Sequence, residues 1–294
     1  MNDLSLPDSS ALFSVIILTR NEERHIERSV RSALRLTPHV YIVDSHSADR
    51  TAEIARRFTA NIVFGHFSTF SEKMNWAIDN LPIQADWVLV LDADESVTEA
   101  LRSVLLRVAS SPVAEVPEAA FHVNRHFVFL GGVIRHCGYY PSWNVRFFRR
   151  GRARYEEREV HEHMVADGPV GFLAGDLVHH DRRPLEHLIA KHNRYSTLEA
   201  RAIAVQGGGP GDGLPARFFG GPLERRRWIK RNIYPRLPAK FAFRFLWMYL
   251  VKLGFLDGVT GWRFCLFIAA YELQIEQKIV ELRQQRPAPA SGSR

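Results

Sequence analysis

The sequence predicts an α/β protein: a mostly parallel sheet interleaved with helices, followed by a helical carboxyl-terminal region. Three observations predict it. Short apolar runs alternate with helix-period segments through the first hundred residues, which is the pattern of parallel strands joined by right-handed helical crossovers. Polar clusters follow directly on the apolar runs, where open α/β sheets bind ligands. Beyond residue 183 the strand pattern gives way to helical stretches.

Ser14–Leu18 reads as the first strand. Glu22–Leu36 follows as a helix with Ile26, Val30, Ala33 and Leu34 on one face. Val40–Val43 is the second strand, and Asp49–Phe58 a helix buried through Ala52, Ala55 and Phe58. Asn61–Phe64 is a third strand, Ser71–Leu81 a helix, Trp87–Leu91 a fourth strand and Glu99–Ala109 a helix. From Phe121 the segments become aromatic and basic, strand-like, and separated by glycine turns at Gly131-Gly132 and Gly151. Pro184–Gln206 reads as a helix, Gly207–Pro215 as a flexible boundary, and the remainder as mostly helical to about Gln285. The Pro/Ser-rich tail is expected to be disordered. The expected division is 12–182, split near residue 110, then a helical region 183–285 and a tail 286–294.

The chain has 294 residues, 46% apolar and 24% charged, an ordinary globular composition. Cys137 and Cys265 lie far apart in sequence and suggest neither a disulfide framework nor a zinc site, so a reducing, cytosolic compartment is expected. The start lacks the basic-then-apolar pattern of an export signal. The net charge of +7 favours acidic partners: nucleotide phosphates, nucleic acid or an anionic membrane. Between Arg217 and Lys252, ten cations face one anion, Glu224, and aromatic residues interleave them. The apolar stretch there is broken by Arg244 and Lys252; it is too short to span a membrane but suited to lie on one.

There is no glycine before Gly65. That excludes the glycine-rich turn of a dinucleotide-binding unit and the phosphate-cradling P-loop. Any nucleotide must therefore be held by side chains and a metal. Asp92 and Asp94, at the end of the Trp87–Leu91 strand, are hard oxygen ligands suited to Mg²⁺ or Mn²⁺ carrying a phosphorylated substrate. The alternative is local, since acidic residues often cap the next helix, and Ser96 and Thr98 are caps of the same kind here.

Four ordered blocks, SVIILTRNEERHIERSVRSAL, VYIVDSHSADRTAEIARRF, SEKMNWAIDN and WVLVLDADE, resemble the family 2 glycosyltransferases. The later RFFRRGRARYEEREVHEH, LAGDLVHHD and HLIAKHNRYSTLEA are similar to the branch of bacterial lipopolysaccharide-core and surface-glycan transferases. The resemblance implies a GT-A fold, that is, a nucleotide-binding α/β domain with an Asp-X-Asp metal motif. It implies that Thr19, Asn21 and Glu22 approach the base and ribose of a sugar nucleotide, and that Asp44 accepts a hydrogen bond from uracil. Lys73 would neutralise diphosphate charge, unless it is simply a solvated helical lysine. Asp94 would ligate the metal, Asp92 the ribose or the metal through water, and His161 or His179 would complete the metal or phosphate site. Arg146 would bind acceptor or diphosphate. Inversion needs a carboxylate base. Within Glu156-Glu157-Arg158-Glu159-Val160-His161-Glu162-His163 the resemblance favours Glu162, with Glu159 and Asp181 as fallbacks. The Gln-X-X-Arg-Trp signature of processive synthases is absent, so a single addition is expected.

The expected activity is thus a non-processive transferase using a divalent cation, a UDP-sugar donor and a lipid-linked or lipopolysaccharide-core glycan acceptor. It would work on the cytoplasmic face of a bacterial inner membrane, against an anionic surface. A sugar-nucleotide nucleotidyltransferase is the enzymatic rival, but it needs an early glycine-rich loop. A basic nucleic-acid-binding module is the other rival; no recognisable nucleic-acid motif accompanies the cations, and no nucleic-acid partner is expected.

Overall fold

The structure is a computed structural model that describes residues 12–156, 163–206 and 239–285. Contacts divide them into two units: 12–135 with 139–182, and 136–138 with 183–285.

The first unit is built on a nine-stranded sheet. Strands β1 (Phe13–Thr19), β2 (Val40–Asp44), β3 (Ile62–Phe64) and β4 (Trp87–Asp92) form its parallel part, in the order β3-β2-β1-β4. The sheet continues through β8 (Asn144–Arg149), β6 (Ala120–Phe129), β11 (Val170–His179) and β5 (Glu95–Val97), with β7 (Gly132–Ile134) pairing with β6. There the pairing is mixed: β4 and β6 run antiparallel to β8, while β6 and β11 are parallel. The strands β9 (Ala153–Tyr155) and β10 (Met164–Ala166) form a separate hairpin sheet.

Both faces of the parallel part are covered, which explains its uninterrupted apolar runs. Phe13, Val15 and Ile17 of β1 and Trp87, Leu89 and Leu91 of β4 face one core. Helices α1 (Ile26–Leu34), α2 (Thr51–Arg56) and α4 (Glu99–Ser110) contribute to that core. Ile16, Leu18, Val88 and Val90 face the other, with Met74 and Ala77 of α3 (Phe70–Asn80). Leu89 is completely buried, and truncating such a residue to alanine costs about 2–5 kcal/mol. Capping positions two helices. Thr69 accepts from the Glu72 amide at 3.1 Å while Glu72 accepts from the Ser68 amide at 2.7 Å, and Thr98 accepts from the Leu101 amide at 3.3 Å.

α1 begins at Ile26, later than the periodicity predicts, because Asn21 takes a left-handed conformation (φ 57°) and the Glu22 amide donates to the Thr51 hydroxyl. The β11 strand is irregular between Phe172 and Asp176, and Gly175 lies there at φ +93°. A Cβ at Gly175 would come 2.5 Å from the Leu101 amide nitrogen, so glycine lets β11 pass α4 and carry its last residue, His179, to the sheet edge.

The second unit contains α5 (Leu185–Gln206), α6 (Lys240–Leu246) and α7 (Gly258–Gln284). Ala200 of α5 packs on Ile275 and Ile279 of α7. The cysteines, distant in sequence, meet here: Cys137 and Cys265 are free, buried thiols with sulfurs 3.6 Å apart.

Candidate functional site

The carboxyl ends of β1 and β2 are joined by a hydrogen-bonded network. Asp44 is completely buried. Its carboxylate accepts from the Thr19 hydroxyl at 2.6 Å, the Ser47 hydroxyl at 2.6 Å and the Ser47 amide at 2.7 Å. Ser47 in turn accepts from the Asn21 amide at 2.8 Å, and Asn21 accepts from the Ala48 amide at 2.8 Å. Thr19, Asn21 and Asp44 therefore shape the first two loops. Glu22 faces inward as well, 2.6 Å from Nδ1 of the fully buried His25. Nε2 of His25 accepts from the Arg182 amide and lies 3.3 Å from Asp181.

Beside this network is a cleft of about 280 Å³, lined by Thr19, Arg20, Glu22, Ser45, Phe67 and Phe70 among others. Lys73 forms part of its wall. It is only 6% exposed and donates to the Thr19 carbonyl at 2.7 Å. Burial pulls its ammonium down to about 8, against the pull of Asp44 and with a small push from Arg20. Lys73 is thus neither solvated nor projecting; it braces the first loop. Phe67 and Phe70 were not singled out from the sequence, while Arg20 stood out only as a member of the polar cluster after the first strand and Ser45 only as a turn residue after the second. The signal available was position alone, since Arg20 and Ser45 follow strands directly.

Asp92 and Asp94 take different environments. Arg146 is a buried residue that grips Asp92 through two bonds, at 3.1 and 2.6 Å, and reaches Glu95 at 3.3 Å. Arg146, expected to meet acceptor or diphosphate, directs its guanidinium to these two carboxylates. Burial opposes ionisation of Asp92, but Arg146 overcomes it and holds the acid down at about 2. Glu95 is completely buried, accepts from the Asp92 amide at 3.0 Å, and is pushed up by burial despite Arg146.

Asp94 is turned toward β11. Its Oδ1 lies 3.1 Å from Nδ1 of His179, and both atoms are buried without an aligned hydrogen bond. Burial raises the Asp94 acid, while His179 more than offsets this and lowers it. The His179 ring stacks on Phe127 with centroids 5.3 Å apart, which fixes its orientation. An oxygen and a nitrogen facing each other this way fit a shared divalent ion, because adjacent ligands on an octahedral ion with bonds of about 2.1 Å lie about 3 Å apart. The described residues hold no group of three or more metal-ligating side chains, so an ion would need further oxygens from a substrate or water.

A second depression borders the same turn. Arg28 donates to the Asp94 carbonyl at 2.6 Å and the His180 carbonyl at 3.0 Å, while its buried Nε is unpaired. It lies in a groove of about 510 Å³ that also contains Arg24, Arg31, Arg35 and Arg182, with Glu23 and Glu27. Arg31 pairs with Glu27 and Arg35 with Glu99. Glu162, Glu159 and His161 lie outside the described residues, as does the Arg225–Arg231 cluster.

Residues 14–161, half of the chain, match the model of glycosyl transferase family 2. The lipopolysaccharide core biosynthesis glycosyltransferase LpsC of Rhizobium meliloti is 29% identical over 64% of this chain and 70% of its own. An uncharacterized glycosyltransferase of Rickettsia typhi is 24% identical over 66% and 68%. Among solved structures, S. aureus TarS in complex with UDP-GlcNAc aligns over 94% of this chain and 93% of its own, at 13% identity and a TM-score of 0.42.

Proposed function

This chain belongs to glycosyl transferase family 2, and we propose that it is an inverting, non-processive, metal-dependent enzyme that moves one sugar from a UDP-sugar to a lipid-linked or lipopolysaccharide-core glycan. The observation that carries this reading is the gathering, at the carboxyl ends of β1, β2, β4 and β11, of an aromatic-walled cleft and the facing Asp94–His179 pair. In this reading the nucleoside occupies the cleft against Phe67 and Phe70, with Arg20 as the nearby cation. Thr19, Asn21, Glu22, Asp44 and Lys73 set the shape of its loops. Asp94 and His179 hold Mn²⁺ or Mg²⁺, and Arg146 fixes Asp92 beside them. The bound ion would stabilise negative charge on the departing nucleoside diphosphate. Glu162 takes the proton of the acceptor hydroxyl as its oxygen bonds to C1 and the C1–O bond to the diphosphate breaks; Glu159 and Asp181 are the alternatives.

The acceptor assignment draws on the likeness to LpsC and on the arginine groove, whose excess positive charge suits a glycan bearing phosphate or carboxylate groups. In domain terms, residues 12–110 would bind the nucleotide and 111–182 the acceptor. The helical region 183–285 would bring the enzyme to an anionic membrane, on the cytoplasmic face of the inner membrane. The test is a panel of nucleotide sugars scored for thermal stabilisation and hydrolysis, with and without Mn²⁺. Selective, Mn²⁺-dependent stabilisation by one UDP-sugar is the expected result; preference for a purine nucleotide sugar defeats the donor assignment.

A further inference from the structure

Within the second unit, α6 and the turn after it, Lys240–Val251, meet the segment Gly254–Gln284 at a bend of 76°. Large apolar side chains point outward around this bend. Leu250, Val251, Leu253, Phe255, Leu256 and Val259 are between 44% and 65% exposed, a density of outward apolar groups that marks an interaction surface. No single described helix is long and apolar enough to cross a membrane; the two arms of this bent pair reach that length and apolarity only when counted together. The Lys240–Val251 arm is about 18 Å long, against a hydrocarbon core of about 30 Å. It can enter a bilayer but cannot traverse it.

Charge and aromatic placement identify the occupant. From Ala239 to Tyr271 the cations are Lys240, Arg244, Lys252 and Arg263, and the one anion is Asp257. The Asp257 side chain is only 3% exposed and accepts from the His136 amide at 2.8 Å. At the bend itself, residues 247–263, the exposed charges are therefore Lys252 and Arg263, both positive, whereas Glu276 meets the far end of the shorter arm at the Lys240 amide. Trp247 and Trp262, 40% and 44% exposed, flank the apolar run, and the Lys252 ammonium lies 5.8 Å from the Trp247 ring. Tryptophan beside lysine at the edge of an apolar patch is the arrangement favoured at a membrane interface. We propose that the bent helix pair around residues 247–262 is a wedge that enters one leaflet of an anionic bilayer. The inference rests on the membrane-face reading above and names the segment responsible.

The test uses the full chain with vesicles of phosphatidylcholine and phosphatidylglycerol carrying bromine on the acyl chains. Bromine should quench the tryptophan emission of the wild type. The quenching should disappear in Trp247→Phe/Trp262→Phe, which should still sediment with vesicles. Leu250→Glu/Phe255→Glu, at exposed positions, should lose vesicle affinity by at least about tenfold while keeping its melting temperature and its transfer rate to a short, water-soluble acceptor. Val259→Asp offers a second variant should the double one fail to fold. Wild-type emission that is not quenched, quenching that survives loss of both tryptophans, or glutamate variants that bind vesicles normally would overturn the wedge. So would a change confined to self-association. A protein that inserts but transfers no sugar leaves the wedge standing and defeats the catalytic reading instead.

Discussion

Arg146 holds Asp92 by both terminal nitrogens of its guanidinium, at 3.1 and 2.6 Å, and the same side chain reaches the buried Glu95. This pair fixes the first carboxylate of the Asp-X-Asp turn from beneath. Replacing Arg146 with methionine should destabilise the protein by about 3–5 kcal/mol, because two carboxylates lose their nearest cation and keep only the more distant Arg125, 3.9 Å from Asp92 and 3.5 Å from Glu95. Arg146→Lys should recover only part of this, since an ammonium cannot form the two-pronged contact. Urea unfolding measures both; a loss below about 1 kcal/mol for the methionine variant would show that the pair is not structurally important.

The same contact predicts the acid limb of stability. Asp92 ionises at about 2 in the folded protein, against 3.8 as an ordinary aspartate. A depressed carboxylate contributes stability that is fully present above the unfolded value and is lost as pH falls from about 4 toward 2. The contribution is about 2 kcal/mol. Comparing unfolding at pH 5 and pH 2.5 in the wild type and in Asp92→Asn should reveal it as the part of the acid loss that the variant lacks.

Asp94 and His179 predict metal behaviour. In the proposed site the protein would offer an oxygen and an imidazole nitrogen, so Mn²⁺ should support donor binding better than Mg²⁺, which prefers oxygen donors. Asp94→Asn should abolish turnover without unfolding the protein. His179→Gln should raise the Mn²⁺ concentration needed for UDP binding by at least about tenfold and reduce the Mn²⁺ preference. Calorimetric titration of UDP at several metal concentrations checks this, and an unchanged Mn²⁺ requirement in His179→Gln would remove the histidine from the site.

The parallel half of the sheet was legible because each strand is a compact apolar run covered on both faces, and a run such as Trp87–Leu91 has no other use. The Asp-X-Asp turn was legible because it follows such a strand directly. What could not be read were partners far away in sequence. His179 was indicated by the resemblance alone, as one of two histidines; its meeting with Asp94 depends on β11 pairing with β5, and nothing local to the histidine distinguishes it from His180. Arg146 suggested a ligand contact only through the family resemblance; its burial and its carboxylate partners depend on β8 packing beside β4. The meeting of Cys137 and Cys265 was hidden for the same reason, 128 residues of separation.

The base assignment is tested by a split in kinetic constants. Glu162→Gln keeps the shape of the side chain but removes the proton acceptor, so kcat should fall by at least roughly a hundredfold. Donor affinity should hardly move, because the base acts on the acceptor. Should donor binding collapse while the saturated rate survives, Glu159 or Asp181 takes its place. Asp181 lies 3.3 Å from Nε2 of His25.

Substitutions in the arginine groove test acceptor binding apart from chemistry. Arg24 and Arg182 line it, and among the described residues neither guanidinium is in an ion pair. Arg28, in the same groove, instead braces the Asp94 turn through two backbone carbonyls. Two unpaired guanidinium groups beside a braced one are suited to phosphate or carboxylate groups on a glycan, because each can form a forked, charge-assisted contact. Arg24→Ala/Arg182→Ala should therefore raise KM for a phosphorylated acceptor by about tenfold or more, the loss expected when two partly exposed charged contacts are removed. Its kcat and UDP affinity should stay near those of the wild type, and KM for a neutral acceptor should be unaffected. Arg28→Ala should behave differently, lowering kcat by loosening the turn that carries Asp94. Equal losses on charged and neutral acceptors in the double variant would assign the groove a structural role and leave acceptor recognition elsewhere.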